Sequence, residues 1–427
     1  MKPRSTAVPT LSLSSSEKRR VVDDVTELLR ETLWIEKEFL ANSGVVDEKQ
    51  WKKVKSRDNV CVYRERQTHS SNARPSVLPW KTKSVKTTDD LLDVHESRNV
   101  SKTRSLSADG DDVLTSIKNP EVPMLVATGY FDGSLEDSVY GSVAGDELSW
   151  RLRAAYMKDK FADAKIVASI NEPTVEQPYN YLSIKWFVSE FPALLTAFIQ
   201  RRDFLVAEAT GLEVDAQGER YGYYIVHDFH HPKLQDLSDF GLHRSKISLC
   251  FITREIKPGT VHVFARGFVD PRGALSNNVA AVLAAGAMLS AAHTVDASFA
   301  KKLAWLMSRE HQDKRPQEGM PASAPDVCVS CDKTSGFLKA RLSPCHLCRH
   351  TFCSRCTSQR KVVIDVTKSE VTERAFPFCL TCITRVKQQS PRDVALDAIT
   401  QNASRKAPAS VRAKSASVAI PVEQRVR

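Results

Sequence analysis

The sequence predicts an α+β protein: a curved antiparallel sheet gripping a long C-terminal helix, with a small metal-organised module after it. Three observations carry this. Several segments between Met124 and Phe268 alternate apolar and polar residues, as half-buried antiparallel strands do. An Ala-rich apolar stretch from about Ser276 to Met307 follows the last of them, with an apolar face broad enough to lie deep against a sheet. Eight of the ten cysteines then fall between Cys328 and Cys382 as four Cys-x-x-Cys pairs.

The elements follow in order. Residues 1–13 are polar and Ser-rich and are expected to be disordered. Ser14 followed by Glu17 is a capping box that opens a helix. Val22, Val25, Leu29 and Leu33 recur on one face of it, and Gly44 stops it. Trp51 precedes a strand over Asn59 to Arg64. Residues 66–120 are rich in Ser, Lys, Thr and Asp without periodicity, which predicts a disordered insertion with at most a short helix over Asp89 to Val94. Pro123 leads into a strand over Met124 to Phe131, where its missing N–H does least harm. A helix over Ser134 to Val143 ends at Gly145. Strands are expected over Ala164–Ile170, Tyr181–Val188, Asp203–Ala209, Tyr221–Val226, Ser248–Thr253 and Thr260–Phe268. The domain so defined covers 14–308. A charged linker spans 309–325, the cysteine module 326–386 and a disordered basic tail 387–427.

The formal net charge is +10, which favours anionic partners without choosing among them. Nucleic-acid binding would rest on that charge alone and is not expected. The longest apolar run, Val279 to Ala292, is shorter than the roughly 20 residues that span a bilayer. No apolar stretch opens the chain, so a cytoplasmic or membrane-peripheral location is expected. Cys61 and Cys250 sit in apolar runs and read as core residues. No nucleophile elbow, phosphate loop or HExxH helix is present, and no enzymatic activity is expected.

A Cys-x-x-Cys pair lets two thiolates close on one tetrahedral metal from a tight turn. Four pairs supply two closed sites of four thiolates each, which predicts two structural zinc ions per chain. The predicted ligands are Cys328, Cys331, Cys345, Cys348, Cys353, Cys356, Cys379 and Cys382. His227, Asp228, His230 and His231 form a second group of metal-capable residues, at a strand end running into Pro232, where strand-end packing is the expected role. Trp150, Arg153 and Tyr156 are candidates to line a cavity, although strand residues with a paired arginine is the plainer expectation.

Trp51, the Asn59–Arg64 strand, Arg202-Asp203-Phe204, the run Gly267 to Gly273 and the terminal helix together resemble the START (lipid-transfer-related) domain. That resemblance implies a cavity for an apolar lipid. The cysteine spacing, with Phe352 directly before Cys353, is similar to the FYVE finger. It implies cross-braced sites, Cys328, Cys331, Cys353 and Cys356 on one zinc and Cys345, Cys348, Cys379 and Cys382 on the other. It further implies binding of phosphatidylinositol 3-phosphate on endosomal membranes. The segment matching that family's basic motif is Arg341-Leu342-Ser343-Pro344-Cys345-His346, in which Arg341 and the cysteine match and His346 stands at a basic position. Lys339, Arg341, His346 and Arg349 are therefore the headgroup candidates, within a basic cluster that adds Lys333, Arg355, Arg360 and Lys361. Two alternatives stay open. Cys348 to Cys356 with His350 as a ligand also fits a RING-type ubiquitin ligase, which leaves Cys345 spare. The chain could equally be an interaction scaffold that binds protein partners and no lipid.

Overall fold

The computed structural model describes residues 7–66, 112–157, 159, 161–189, 200–273, 275–313, 327–334, 342–366 and 371–406. The chain divides into two compact units. The first comprises Met1–Glu172, Tyr181–Ser298 and Val363–Arg374, and the second Pro173–Asn180, Phe299–Val362 and Ala375–Arg427.

The first unit is built on one ten-stranded sheet. Its strands are β1 (Trp51–Arg57), β2 (Asn59–Glu65), β3 (Leu125–Asp132), β4 (Phe161–Asn171), β5 (Tyr181–Ser189), β6 (Arg201–Val214), β7 (Arg220–Asp228), β8 (Leu242–Arg244), β9 (Lys246–Lys257) and β10 (Thr260–Asp270). The spatial order is β1-β2-β3-β10-β9-β7-β6-β5-β4. Every pairing along it is antiparallel, and β8 adds in parallel beside β6. Each predicted strand is present, lengthened at its ends by ladder hydrogen bonds that an apolar pattern cannot register.

Period-two alternation sorts the sheet into two faces. Leu205, Ala207 and Ala209 of β6 face helix α1 (Ser15–Ala41) together with Ile184, Trp186, Ile225, Ile252 and Phe264. Phe204 and Val206 point to the other side with Val226. There α5 (Asn277–Ser290) lays Ala281, Ala284, Ala285 and Met288 against Val62, Leu249, Phe251 and Val263. The antiparallel sheet closed over by a C-terminal helix is thus as expected. Two glycines set its curvature. A Cβ on Gly129 would lie 2.0 Å from the Asn59 carbonyl, and one on Gly267 2.0 Å from that of Ser248. Both have φ near +150°, so only glycine lets the neighbouring strands close in.

The capping box forms, with Ser14 N donating to Glu17 Oε2 at 2.7 Å and Glu17 N to Ser14 Oγ at 3.3 Å. The buried face of α1 differs from expectation. Val21, Val25, Leu28, Ile35 and Phe39 are buried, whereas Val22, Leu29 and Leu33 are only partly so. Two carboxylates turn the helix. Glu36 accepts Arg254 Nε at 2.9 Å and Glu31 accepts the Val113 amide at 2.8 Å, and both are buried beside the apolar stripe.

Other expectations are corrected at segment ends. Of residues 1–13, Ala7 to Leu13 are ordered and bury Val8, Leu11 and Leu13, with Leu11 N on Val167 O at 2.9 Å. Residues 67–111 of the expected insertion, with the Asp89–Val94 helix, lie outside the described residues. Residues 112–120 do not belong to a disordered insertion. Asp112 caps α2 (Val113–Ile117) and pairs with buried Arg266, and Leu114 is fully buried. Five residues with one fully buried side chain, Leu114, are too short for a helical period to show. The helix expected over Ser134 to Val143 is α3 (Leu135–Ser142); a second, unexpected helix α4 (Glu147–Met157) follows, so Trp150, Arg153 and Tyr156 are helical, not strand residues. The long terminal helix is broken by a 3₁₀ turn at Ala291–His293 into α5 and α6 (Thr294–Asp313), which runs past 308 into the expected linker.

In the second unit, β11 (Leu342–Pro344) pairs with β12 (Thr351–Cys353); β13 (Thr357–Val366) pairs with β14 (Val371–Cys379), and of these strands the residues within Val363–Arg374 count with the first unit. Helices α7 (Leu380–Gln388) and α8 (Pro391–Lys406) follow. The latter corrects the expectation of disorder from 387 onward. Its few apolar residues suffice because Val394 and Ala395 are buried and Asp397 Oδ2 accepts the Trp305 indole N–H at 2.6 Å. Leu303, Leu306, Leu347, Phe352, Phe378, Ile383 and Val386 form the core around the cysteines. No single described helix is long and apolar enough to cross a membrane.

Candidate functional site

Between the sheet's second face and helices α4 and α5 lies a cavity of about 960 Å³. Its walls are mainly apolar, with Trp150, Phe187, Phe204, Val226, Phe251 and Leu283 among them. Phe187 stacks on Phe204 at 5.1 Å, and Trp150 meets Phe187 edge-on at 6.1 Å. Arg153, Asp159, Glu208 and Tyr224 supply a polar island in this wall. Arg153 grips Glu208 in fork geometry, Nη1 to Oε1 at 2.9 Å and Nη2 to Oε2 at 2.8 Å. Lys185 donates to the same carboxylate at 2.5 Å and to Ala144 O at 3.0 Å. The Tyr224 hydroxyl donates to Glu208 Oε2 at 3.2 Å.

These groups act as one unit. Burial would raise the Glu208 carboxyl, but Arg153 and Lys185 hold it down to about 2. Burial drives Lys185 down to about 8 against the pull of Glu208, and repulsion from Arg153 adds to that fall. Arg153 moves the other way because its fork holds the carboxylate through two bonds. Asp159, which faces Arg153, is pushed up to about 6 by burial. Arg153 Nε is buried and donates to no protein group. A buried donor without an acceptor is costly, and an acceptor carried by a ligand would satisfy it. Sequence reasoning named Trp150 and Arg153 and missed Glu208 and Lys185. Tyr156, the third candidate, does not line the cavity.

The second site is a pair of cysteine clusters. Cys328, Cys331, Cys353 and Cys356 form one, and Cys345, Cys348, Cys379 and Cys382 the other, with all four sulfurs in each within 4.8 Å of one another. This is the cross-braced grouping that the spacing suggested by resemblance. All ten cysteines are free thiols. Zinc–sulfur bonds of about 2.3 Å put the corners of a tetrahedron about 3.8 Å apart. Cys331 and Cys353 Sγ are 3.6 Å apart, and Cys348 and Cys379 Sγ 3.9 Å, so the clusters fit a tetrahedral metal and are far wider than a disulfide.

The local turns explain the shape. Cys328-to-Cys331 and Cys345-to-Cys348 are built alike. The amide after each pair returns to the first cysteine's carbonyl, at 2.9 Å for both Asp332 and Arg349. Asp332 and Arg349 take left-handed φ of +56° and +68° to do so. Amide donors then aim at sulfur, Cys379 N on Cys345 Sγ at 3.3 Å and Cys382 N on Cys379 Sγ at 3.4 Å. Cys379 is also the N-cap of α7, where partial positive charge favours a thiolate.

The remaining expectations divide. His350 is exposed and belongs to neither cluster, so the ligand set of a RING pattern is not assembled. His346 stacks its ring on Phe376 at 4.1 Å. Arg349 is exposed at its left-handed turn. Lys339 and Arg341 lie outside the described residues. The histidine group gathers no metal site. His227 Nδ1 meets Ser248 Oγ at 3.1 Å, while His231 Nε2 meets Glu17 Oε1 at 3.2 Å. Burial lowers His227 to about 4, which suits a neutral core residue.

No family model and no curated protein sequence matches the chain. Similar solved structures exist. Human StAR-related lipid transfer protein 5 is 14% identical with a TM-score of 0.36, covering 63% of this chain and 95% of that one. Human STARD10 is 13% identical with a TM-score of 0.35, covering 66% and 88%. The human StarD13 (DLC2) lipid transfer and protein localization domain is 13% identical with a TM-score of 0.33, covering 62% and 94%.

Proposed function

We propose that this chain is a non-enzymatic lipid-binding adaptor. Its sheet unit holds an apolar lipid, and its cysteine module is a FYVE-type finger with two zinc ions that docks on anionic or phosphoinositide-bearing membranes, endosomal ones among them. The observation that carries the reading is the cavity of about 960 Å³, at the upper end of ligand-pocket size and mainly apolar, with the charged island on one wall and Arg57, Arg201 and Arg202 also in its lining. The scaffold alternative requires a cavity filled by side chains. A lipid with one acceptor group suits these walls, its tail on Phe204 and Phe251 and its acceptor toward Arg153 Nε. Zinc would hold the module folded and leave no open coordination position for chemistry.

Mass spectrometry of organic extracts from the purified chain tests the cavity. A lipid should co-purify with the natural chain and be lost from Ala284→Trp, which fills the chamber. Extracts free of lipid, together with failure to take up a fluorescent lipid, would return the protein to the scaffold reading.

A further inference from the structure

From Gly273 to Val295 the sequence contains no Asp, Glu, Lys or Arg. Within this stretch α5 buries one side, yet leaves Val279 39% and Val282 50% exposed. The outer face of a helix on a globular protein is ordinarily polar, and this one is not. Beside it runs β1, the last strand of the sheet on that side. Between Lys49 and Arg66 the sequence carries seven basic residues and two acidic ones. Of the two acids, Glu65 is turned inward onto the Met124 amide and Asp58 sits in the β1–β2 turn. Lys52, Lys53, Lys55 and Arg57 are all exposed.

The two features meet. The Lys55 ammonium lies 3.5 Å from where a Cβ on Gly286 would stand, so its stem reaches across α5. Arg57 lines the cavity rim with Leu283 and Ala287 of α5. An uncharged apolar stripe, a basic edge and the rim of the cavity therefore belong to one surface of one unit.

We infer that this surface docks the sheet unit on an anionic bilayer, with Val279 and Val282 entering the boundary between headgroups and acyl chains and the β1 cations meeting the lipid anions. Basic charge beside an apolar stripe is the combination that peripheral membrane binding requires. A protein partner would ordinarily offer acceptors for hydrogen bonds, and the outer face of α5 has only Asn278 to answer them. The inference rests on the cavity being a lipid site, since docking then brings its rim against the source of the lipid.

The test sediments the full chain with vesicles of phosphatidylcholine alone and with phosphatidylserine added, free of phosphoinositide. The natural chain should prefer the anionic vesicles, and the preference should fall as salt rises. Lys52→Glu with Lys55→Glu should lower that partition at least about twenty-five-fold, at about fivefold per neutralised residue. Val282→Asp should lower it comparably, whereas Val214→Asp, at a still more exposed valine on β6, should leave it unchanged. Circular dichroism confirms that each variant is folded. Undiminished binding by both α5 and β1 variants overturns the docking surface, as does equal binding to neutral vesicles or an equal loss in Val214→Asp. Self-association broken by Val282→Asp without vesicle binding would also overturn it, in favour of a second copy. Lipid extraction from the same preparations separates the two readings: retained cavity lipid with unchanged vesicle binding sinks the surface alone.

Discussion

The two units assemble their polar centres in opposite ways. In the sheet unit Arg153, Lys185 and Glu208 come from a helix and two strands, and the nearest pair of charges, Lys185 and Glu208, is 23 residues apart. In the cysteine module each pair of ligands is three residues apart on one turn. The charged island is fixed by the apolar strands around it and carries its own counter-charges. The thiolate clusters are fixed by local turns, but four sulfurs gathered together need a cation from outside. One centre therefore fails by losing a partner charge, and the other would fail by losing the cation that its four sulfurs can hold.

The sharpest way to break this comparison is at Cys345. Cys345→Ser should abolish one site and unfold the module, because structural zinc contributes roughly 10–16 kcal/mol of folding free energy in small zinc domains. Elemental analysis should fall from about two zinc ions per chain to one or fewer, while the melting transition of the sheet unit persists. A silent Cys345→Ser would restore the RING ligand pattern.

A smaller effect is expected at the island. Glu208→Gln keeps the shape and leaves two buried cations without their carboxylate, which should cost about 3–5 kcal/mol. Urea unfolding followed by tryptophan fluorescence measures this, and zinc content should stay at two. A change below about 1 kcal/mol would mean that the island is not the closed unit its geometry implies.

The smallest effect is a slope in pH. Burial, aided by Arg254, lowers His262 to about 4 from its usual 6.5, so its neutral form is the folded one. Its contribution is complete above pH 6.5 and is lost as pH falls toward 4. Relative to the natural chain, His262→Gln should gain about 1.4 kcal/mol of stability per pH unit across that window. Parallel stability curves for the two proteins would show that the ring titrates normally.

What was legible in the sequence follows the same division. The eight ligands could be read because turn chemistry is local and the pair spacing carries it, whereas their cross-braced grouping came only from the resemblance to the FYVE finger. The strands could be read because alternation is local too. The island could not, since nothing in the neighbourhood of Lys185 or Glu208 announces that they will meet across a sheet. Arg153 was named, but as a strand residue, because the capping of α4 by Asp146 and Ser149 is weak beside its mixed composition. The face of α1 was misjudged for a related reason: Glu31 and Glu36 are buried by Val113 and Arg254, partners far along the chain. Short apolar segments such as Val8 to Leu13 carry too few residues for any period to show.

Gly129 and Gly267 have a consequence for what the chamber can admit. Gly129 pairs with Val263 midway along the β3–β10 ladder, and Gly267 pairs with Leu125 at its end. Because neither tolerates even a methyl group, the bore of the sheet is a fixed calibre. Selection for a bulkier or slimmer guest finds the backbone closed to adjustment and must act through the furniture of the wall, residues such as Phe204, Phe251 and Ala284. The shape of the room is held constant, and only its lining is open to change.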